Sequence, residues 1–258
     1  MPISPSSAES FGQCPRKYAL EFCDVPKLFS EPLHVGSAMH RTFQDLITKH
    51  QDTKNWMEPA EVAIILSRYL RDFPSDQVLP SENILEHLHM QWVETGIAKV
   101  CSFLQHLAQI IESARVVDTE HWVKLDLQDK TGTVRATGRV DLLLEMPNLE
   151  IWVIDFKTGK TKDTLGSSLQ LALYGQAAQL EHPTQTIRTF AAYLEPYQLL
   201  EYQTERMIPD LERLSNIGLT AFEEKDFPMQ PSALCTFCDF FQICHPNISA
   251  KTLLLEAI

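Results

Sequence analysis

The sequence lacks two features that would direct the chain into or across a membrane. It contains no apolar run of the roughly eighteen residues that a spanning helix requires. Its first residues, M-P-I-S, are not the basic segment followed by an apolar stretch that a secretory signal needs. We therefore expect a soluble protein of the cytoplasm with no membrane partner.

A glycine-rich phosphate-binding loop is also missing. The segment Thr158-Gly159-Lys160 looks like the end of such a loop. That motif needs a further glycine five residues before Gly159, and the residue there is Ile154. We expect no nucleoside triphosphate site and no helicase module in this chain.

Positive charge is in deficit. The chain has 22 Lys and Arg residues against 34 Asp and Glu residues, a formal net charge of -12. The net charge therefore argues against broad nucleic-acid binding through overall charge, which depends on clustered basic residues. Between residues 115 and 162, however, basic and acidic residues are equal in number, so the deficit lies elsewhere. A metal ion bound in this stretch would make it locally positive.

Hydrophobic residues are plentiful enough for a substantial core, at 44% of 258 residues. We predict a single domain over residues 1–258. Apolar residues recur at helical spacing through residues 36–114, which predicts a helical insertion. Strand patterns interrupted by one helix over residues 118–205 predict an α/β sheet core.

Two of these strands carry the charged residues on which the functional prediction depends. Apolar and polar residues alternate over Thr133–Glu145, and a short apolar run over Ile151–Lys157 ends in charges. A proline-containing turn separates them. Because side chains in a strand alternate between faces, antiparallel pairing would bring Asp141 and Asp155 together with Lys157 beside them.

Two carboxylates at close range repel each other, and one takes up a proton unless a cation lies between them. Mg²⁺ or Mn²⁺ would resolve this repulsion, because these ions bind carboxylate oxygens and leave positions open for phosphate. The alternative is that Asp155 and Lys157 form a solvated ion pair at a sheet edge.

Three segments then occur in a telling order: G-R-V-D at 138–141, I-D-F-K-T-G-K at 154–160 and L-Q-L-A-L-Y at 169–174. This order resembles the core of the PD-(D/E)XK nucleases of the RecB, AddB and CRISPR-associated RecB-like type. The resemblance implies a restriction-endonuclease-like α/β fold, with a mixed central sheet flanked by helices. It also implies a Mg²⁺- or Mn²⁺-dependent deoxyribonuclease, an exonuclease favouring single-stranded DNA, acting in repair, recombination or CRISPR adaptation.

The resemblance implies roles for particular residues. Asp141 and Asp155 would hold the metal ion, and His40 and the backbone carbonyl of Phe156 would complete its protein ligands. Lys157 would stabilise the attacking hydroxide or the pentavalent oxyanion. Without the resemblance, His40 would be interpreted as a hydrogen-bonded residue on an apolar helix face.

Gln170 and Tyr174 are four residues apart and share a helix face, which would be a solvated edge in a chain without this site. As the resemblance implies, Gln170 would orient Lys157 or contact a phosphate, and Tyr174 would pack against the nucleic-acid backbone. Glu120 matches an acidic position of the family. It would bind metal directly, bind it through water, or simply pair with an arginine.

The cysteines near the other end form the pattern C-x2-C-x5-C at Cys235, Cys238 and Cys244. In a chain without secretion signals, such spacing favours metal binding over disulfides. The resemblance implies that Cys14 is the fourth ligand of a 4Fe-4S cluster, which would join the two ends of the chain. Spacing alone leaves a four-cysteine zinc site open, and His245 ranks below Cys14 as a ligand.

The main rival function is a non-catalytic nucleic-acid-binding or scaffolding module that retains the nuclease fold. The joint presence of Asp141, Asp155, Lys157 and Gln170 argues against it. A further alternative is a nuclease active only in an assembly with helicase, recombination or CRISPR adaptation proteins.

Overall fold

The computed structural model describes residues 2–56, 58–73, 77–128, 132–160 and 163–244. A mixed sheet of five strands lies at its centre. Two short strands, β1 (Lys27–Leu28) and β2 (Gln77–Val78), pair separately in parallel. The strands of the central sheet are β3 (Arg115–Gln128), β4 (Thr133–Glu145), β5 (Ile151–Lys157), β6 (Ile187–Leu194) and β7 (Tyr197–Glu201).

Helices flank this sheet. The α-helices of the described chain are α1 (Pro5–Gln13), α2 (Pro15–Glu21), α3 (Glu31–Thr53), α4 (Pro59–Leu70), α5 (Glu82–Glu112), α6 (Leu169–Glu181), α7 (Met207–Glu223) and α8 (Phe241–Cys244). Among the described residues, no helix combines the length and apolar character needed to cross a membrane.

The strands lie side by side in the order in which they occur in the chain. Neighbouring strands are antiparallel except β5 and β6, which are parallel. A parallel pair needs a crossover connection, and α6 lies in it. The predicted hairpin of β4 and β5 is confirmed, and its bounds are those expected from the sequence pattern.

Apolar side chains are buried on both faces of the sheet. On one face, α3, α4 and α5 pack over a core that contains Phe43, Phe103 and Phe156. On the other face, α6 and α7 cover a core that contains Leu173 and Leu214. The predicted architecture, a mixed sheet flanked by helices, is therefore confirmed.

The bounds of two predicted regions shift. The helical insertion expected over residues 36–114 corresponds to α3, α4 and α5, but α3 already begins at Glu31. The sheet core begins at Arg115 rather than near residue 118. The assignment of residues 1–258 to a single domain stays a prediction.

In β4, the alternation of side chains between the two faces of the sheet is interrupted at Asp141. Val140 packs in the core with Leu173, whereas Leu142, two residues on, packs in the core on the other face with Phe43. In a regular strand, residues two apart share a face. The register pairs Thr119 with Leu142 and His121 with Val140, which places position 120 of β3 opposite Asp141.

The start of α6 is fixed by Asp210, which lies in the first turn of α7. Its carboxylate accepts hydrogen bonds from the Ser167 hydroxyl, from the Ser168 backbone N–H at 2.9 Å and from the Tyr202 hydroxyl at 2.6 Å. Ser168 caps the helix, because its hydroxyl accepts a bond from the Leu171 N–H. This anchoring sets the direction in which the first turns of α6 present their side chains.

Candidate active site

The two predicted aspartates lie side by side in the β4–β5 hairpin. The last ladder pair of these strands is Leu142 with Ile154, and Asp141 and Asp155 come next on either strand. Asp141 Oδ2 accepts a hydrogen bond of 2.6 Å from the backbone N–H of Phe156. Asp155 is only 2% exposed. The structure therefore brings together the carboxylates that the sequence pattern placed on one face.

Lys157 is the cation that accompanies the buried aspartate. Its ammonium nitrogen lies 2.6 Å from Asp155 Oδ2 and donates a 2.7 Å hydrogen bond to Gln170 Oε1. Toward Asp155 the contact is a close ion pair between side chains of opposite charge. The solvated ion pair at a sheet edge, which the sequence left open, is excluded because Asp155 is buried.

Burial and the neighbouring charges shift the pKa of both members of this pair. Burial is the largest influence on Asp155; together with the nearby charge of Asp141 it outweighs the Lys157 ammonium and raises the pKa of Asp155 to about 6. Burial favours the neutral amine of Lys157, but the Asp155 carboxylate more than offsets it, so the Lys157 pKa is raised. Lys157 is therefore a fixed cation at neutral pH.

His40 reaches the site from α3. Its Nδ1 lies 3.1 Å from Asp141 Oδ1, and the imidazole is partly exposed. Burial lowers its pKa, but the hydrogen bond to Asp141 and the charges of Asp141, Asp155 and Glu120 outweigh burial and raise it. A histidine that is flanked by carboxylates and open to solvent on one side is suited to bind a cation.

Glu120 is the fourth acidic or basic ligand candidate at the site, and its role was left open by the sequence. Its carboxylate, an imidazole nitrogen of His40 and a carboxylate oxygen of Asp141 all lie within 4.8 Å of one another. Glu120 also forms an ion pair with Arg139. Burial and the charge of Asp141 raise its pKa, against the effect of Arg139. Both interpretations of Glu120, metal ligand and arginine partner, therefore have structural support.

The backbone at Glu120 explains how its side chain reaches the site. Its φ of 56° lies in the left-handed region, which a non-glycine residue rarely adopts inside a strand. The residue lies opposite Asp141, where the side-chain alternation of β4 is interrupted. No periodic sequence pattern signals such a conformation, which is why the role of Glu120 as metal ligand or arginine partner stayed open in the sequence.

We name His40, Glu120 and Asp141 the carboxylate–histidine trio. Among the described residues, it is the group of nitrogen, oxygen or sulfur ligands close enough to share one ion, and Asp155 is not part of it. The sequence-predicted ligand set thus overlaps with it in His40 and Asp141. The backbone N–H of Phe156 holds Asp141, and a ligand role for the Phe156 carbonyl stays a prediction.

Gln170 and Tyr174 do share a face of α6, as predicted. Gln170 Nε2 donates a 2.9 Å hydrogen bond to the Tyr174 hydroxyl, which also accepts a bond from the backbone N–H of Arg139. Tyr174 is 3% exposed and its ring packs on Gly138, although the residue also borders the active-site cavity. In the structure it supports Gln170, which in turn contacts Lys157, and a contact of Tyr174 with a nucleic-acid backbone stays a prediction.

The carboxylate–histidine trio borders an open cavity of about 720 Å³ together with Gln170 and Tyr174. Its walls come from the N-terminal segment, α3, the β3–β4 hairpin and α6, and they include Trp122 and Arg139, which the sequence analysis did not single out. Two carboxylates and an imidazole, with the buried Asp155 carboxylate nearby, fit a hard divalent cation. Carboxylate oxygens suit Mg²⁺ and Mn²⁺.

The chain matches the family model of the PD-(D/E)XK nuclease superfamily over residues 2–245. It belongs to this superfamily. Membership indicates a metal-dependent nuclease that cleaves phosphodiester bonds of nucleic acid. No curated protein matches the chain. Among solved structures, it is similar to the crystal structure of SSO0001, with 12% identity, a TM-score of 0.38 and coverage of 95% of this chain and 96% of that chain.

In this member of the PD-(D/E)XK superfamily, the four predicted cluster cysteines border a second cavity, of about 240 Å³. Cys14 is the N-cap of α2, Cys235 and Cys238 lie in and directly after a 3-10 helix, and Cys244 ends α8. All four thiols are free of disulfides. His245, the lower-ranked ligand, lies outside the described residues.

Two of the four thiols are affected by their burial in this cavity. Burial raises the pKa of both the Cys238 and Cys244 thiols, so these thiols stay protonated unless a cation is bound. Within the part of the chain that the structure describes, no three of the sulfurs lie within 4.8 Å of one another.

Proposed function

We propose that the chain is a Mg²⁺- or Mn²⁺-dependent deoxyribonuclease that hydrolyses phosphodiester bonds in the 720 Å³ cavity. The supporting observation is that the buried pair of Asp155 and Lys157 lies beside the carboxylate–histidine trio. The trio would hold a cation, and Lys157 would supply a fixed ammonium group. Superfamily membership supports the same reaction class.

The trio and Asp155 would hold the metal ion, with the Phe156 carbonyl as a further ligand. When bound, the ion lowers the pKa of a water molecule and offsets negative charge on the phosphate. Asp141 is positioned for ligation because the Phe156 N–H holds Oδ2, while Oδ1 points to His40. His40 must give up its proton to serve as a ligand.

Lys157 would stabilise the negative charge that develops on the attacking oxygen and the pentavalent phosphate. Asp155 and Gln170 hold its ammonium group from two sides, so no reorganisation is needed during the reaction. Tyr174 would act through Gln170, as a positioning residue.

We extend the proposal to an exonuclease that favours single-stranded DNA and belongs to the RecB- and AddB-like group. In this role it would act in the cytoplasm in repair, recombination or CRISPR adaptation, with helicase, recombination or adaptation proteins as partners. Support for these finer assignments comes from the order of the G-R-V-D, D-F-K and Q-x-x-x-Y segments.

The deciding experiment incubates the purified protein with labelled single-stranded DNA and Mn²⁺, with and without chelator, beside the Lys157→Ala variant. We expect cleavage by the native protein that disappears with chelator and in the variant. Cleavage that persists with chelator would reject the metal-dependent mechanism, and DNA binding with no cleavage by the native protein would favour the non-catalytic module.

We further propose that Cys14, Cys235, Cys238 and Cys244 hold a 4Fe-4S cluster, with zinc as the alternative. Convergence of residues from both ends of the chain on one cavity supports a structural role. Anaerobic reconstitution, a visible spectrum and metal analysis test this proposal. Stoichiometric zinc without iron would reject the iron–sulfur assignment.

A further inference from the structure

Trp122 lies at the rim of the active-site cavity and is 67% exposed. The other tryptophans, Trp56, Trp92 and Trp152, are partly or fully buried, and each donates its indole N–H to a glutamate. Single exposed hydrophobic residues are common and need no explanation by themselves. Trp122 is different because it borders the same cavity as the carboxylate–histidine trio.

Arg139 lies directly across from this tryptophan. The two residues pair across β3 and β4, and the Arg139 guanidinium carbon is 6.0 Å from the centre of the Trp122 ring. Arg139 is 56% exposed even while it pairs with Glu120. Glu120 is two residues before Trp122, and Asp141 is two residues after Arg139. Along the strands, these two members of the trio therefore lie only about 7 Å from the Trp122–Arg139 pair.

We propose that Trp122 and Arg139 form a subsite that stacks a nucleobase of single-stranded nucleic acid and binds an adjoining phosphate. An aromatic face accepts any base, because every base has a π-face. In a duplex, the faces of the bases are already stacked on their neighbours. The subsite therefore selects unpaired strands and places the next phosphate toward the trio. This inference rests on the proposed function, since it assigns DNA to the same cavity.

The charge of the protein is the second argument for stacking. At a net charge of -12, the chain gains little affinity from general attraction to phosphates. Arg41, which also borders the cavity, is shared with Asp72 at 2.6 Å, just as Arg139 is shared with Glu120, so neither guanidinium group is wholly available to a phosphate. Contacts that do not depend on charge must then supply much of the affinity. An exposed indole beside the metal ligands supplies such a contact.

The test measures binding by fluorescence anisotropy in the Lys157→Ala background with Mn²⁺, so that bound strands are not cleaved. The probes are a labelled oligothymidylate, an abasic oligonucleotide of equal length and a duplex. We expect Trp122→Ala to weaken binding of oligothymidylate by about tenfold and Trp122→Phe to stay within about threefold of the parent. Binding of the abasic strand should not change in either variant.

Phe222→Ala is the matched control, because Phe222 is an exposed aromatic residue on α7 that does not border the cavity. It should bind all probes like the parent, and thermal melting should show that each variant is folded. Equal losses on the oligothymidylate and the abasic strand, no loss on either, or no binding of any probe would overturn the subsite. Cleavage by the native protein is scored separately, so base stacking without cleavage would reject the proposed function and leave the subsite intact.

Discussion

The ammonium nitrogen of Lys157 lies 2.6 Å from Asp155 Oδ2, at a carboxylate that is only 2% exposed. A buried charge without a partner destabilises the folded protein, so the opposite charges of Lys157 and Asp155 offset each other's cost of burial. The pair also lies beside the carboxylate–histidine trio, where a phosphate would meet the ammonium group. The same contact therefore supports both the stability of the hairpin and the proposed chemistry.

The first prediction concerns Lys157. Replacing it with Ala should lower the cleavage rate by at least about 100-fold, because a pre-oriented charge near the developing oxyanion is lost. DNA binding in an anisotropy assay should change little. Lys99→Ala, which removes a surface lysine paired with Glu195, is the control and should retain full activity. Undiminished turnover in Lys157→Ala would refute the role of Lys157.

The second prediction concerns the pH dependence of metal binding. The pKa of Asp155 is raised to about 6 by burial, so below this pH a metal ion must displace a proton from it. The His40 pKa is raised as well, and this imidazole must also lose its proton. Mn²⁺ affinity, measured by calorimetry, should therefore fall by more than about tenfold per pH unit below pH 6. Affinity that is flat between pH 5 and 8 would contradict ligation by these groups.

The third prediction separates the two roles of Glu120. Glu120→Gln keeps the shape of the side chain but removes its charge, and we expect Mn²⁺ affinity to fall by at least about tenfold. If Glu120 only paired with Arg139, metal affinity would stay the same. Glu94→Gln, at an exposed position of α5, is the control for the loss of one negative charge.

The fourth prediction concerns the contact between Gly138 and Tyr174. A Cβ at position 138 would lie 2.6 Å from Tyr174 Cε1, so Gly138→Ala forces the ring to move. We expect a loss of about 1–3 kcal/mol in unfolding free energy and reduced cleavage, because Gln170 loses its support. Gly12→Ala, where a Cβ has nothing within 4 Å, should be neutral or slightly stabilising. Chemical denaturation of both variants gives the comparison.

The fifth prediction concerns the cysteine cavity. Cys14→Ser should abolish stoichiometric metal binding and lower the melting temperature by at least about 5 °C, because metal binding stabilises only the folded chain. Cys23→Ser is the control, since Cys23 is exposed and does not border the cavity. Chelation of the native protein should reproduce the effect of Cys14→Ser.

Local rules explain which parts of the site could be predicted from the sequence. Strand alternation was sufficient to bring Asp141, Asp155 and Lys157 together, because a short turn joins β4 to β5 and their antiparallel register sets Asp141 and Asp155 next to the Leu142–Ile154 pair. Helix periodicity was sufficient to place Gln170 and Tyr174 on one face. The mixed sheet flanked by helices followed from the same patterns.

The remaining parts depend on tertiary structure that no local pattern encodes. The Glu120 carboxylate reaches the site because its backbone is left-handed and lies opposite Asp141, where the side-chain alternation of β4 is interrupted. The burial of Tyr174 depends on which element covers α6, and the sequence of α6 does not specify that element. The indirect signal in the sequence was Gly138. Gly138 lies in the middle of a strand, where a missing side chain often marks a close approach of another group.

The double engagement of Arg139 has a consequence for how ligands load. Its guanidinium group holds the Glu120 carboxylate in the structure, and a phosphate at the rim would compete for the same group. A strand that takes Arg139 frees Glu120 for the ion, and an ion that takes Glu120 frees Arg139 for the strand. Divalent cation and DNA should thus bind with positive heterotropic cooperativity, each tightening the other by the same factor.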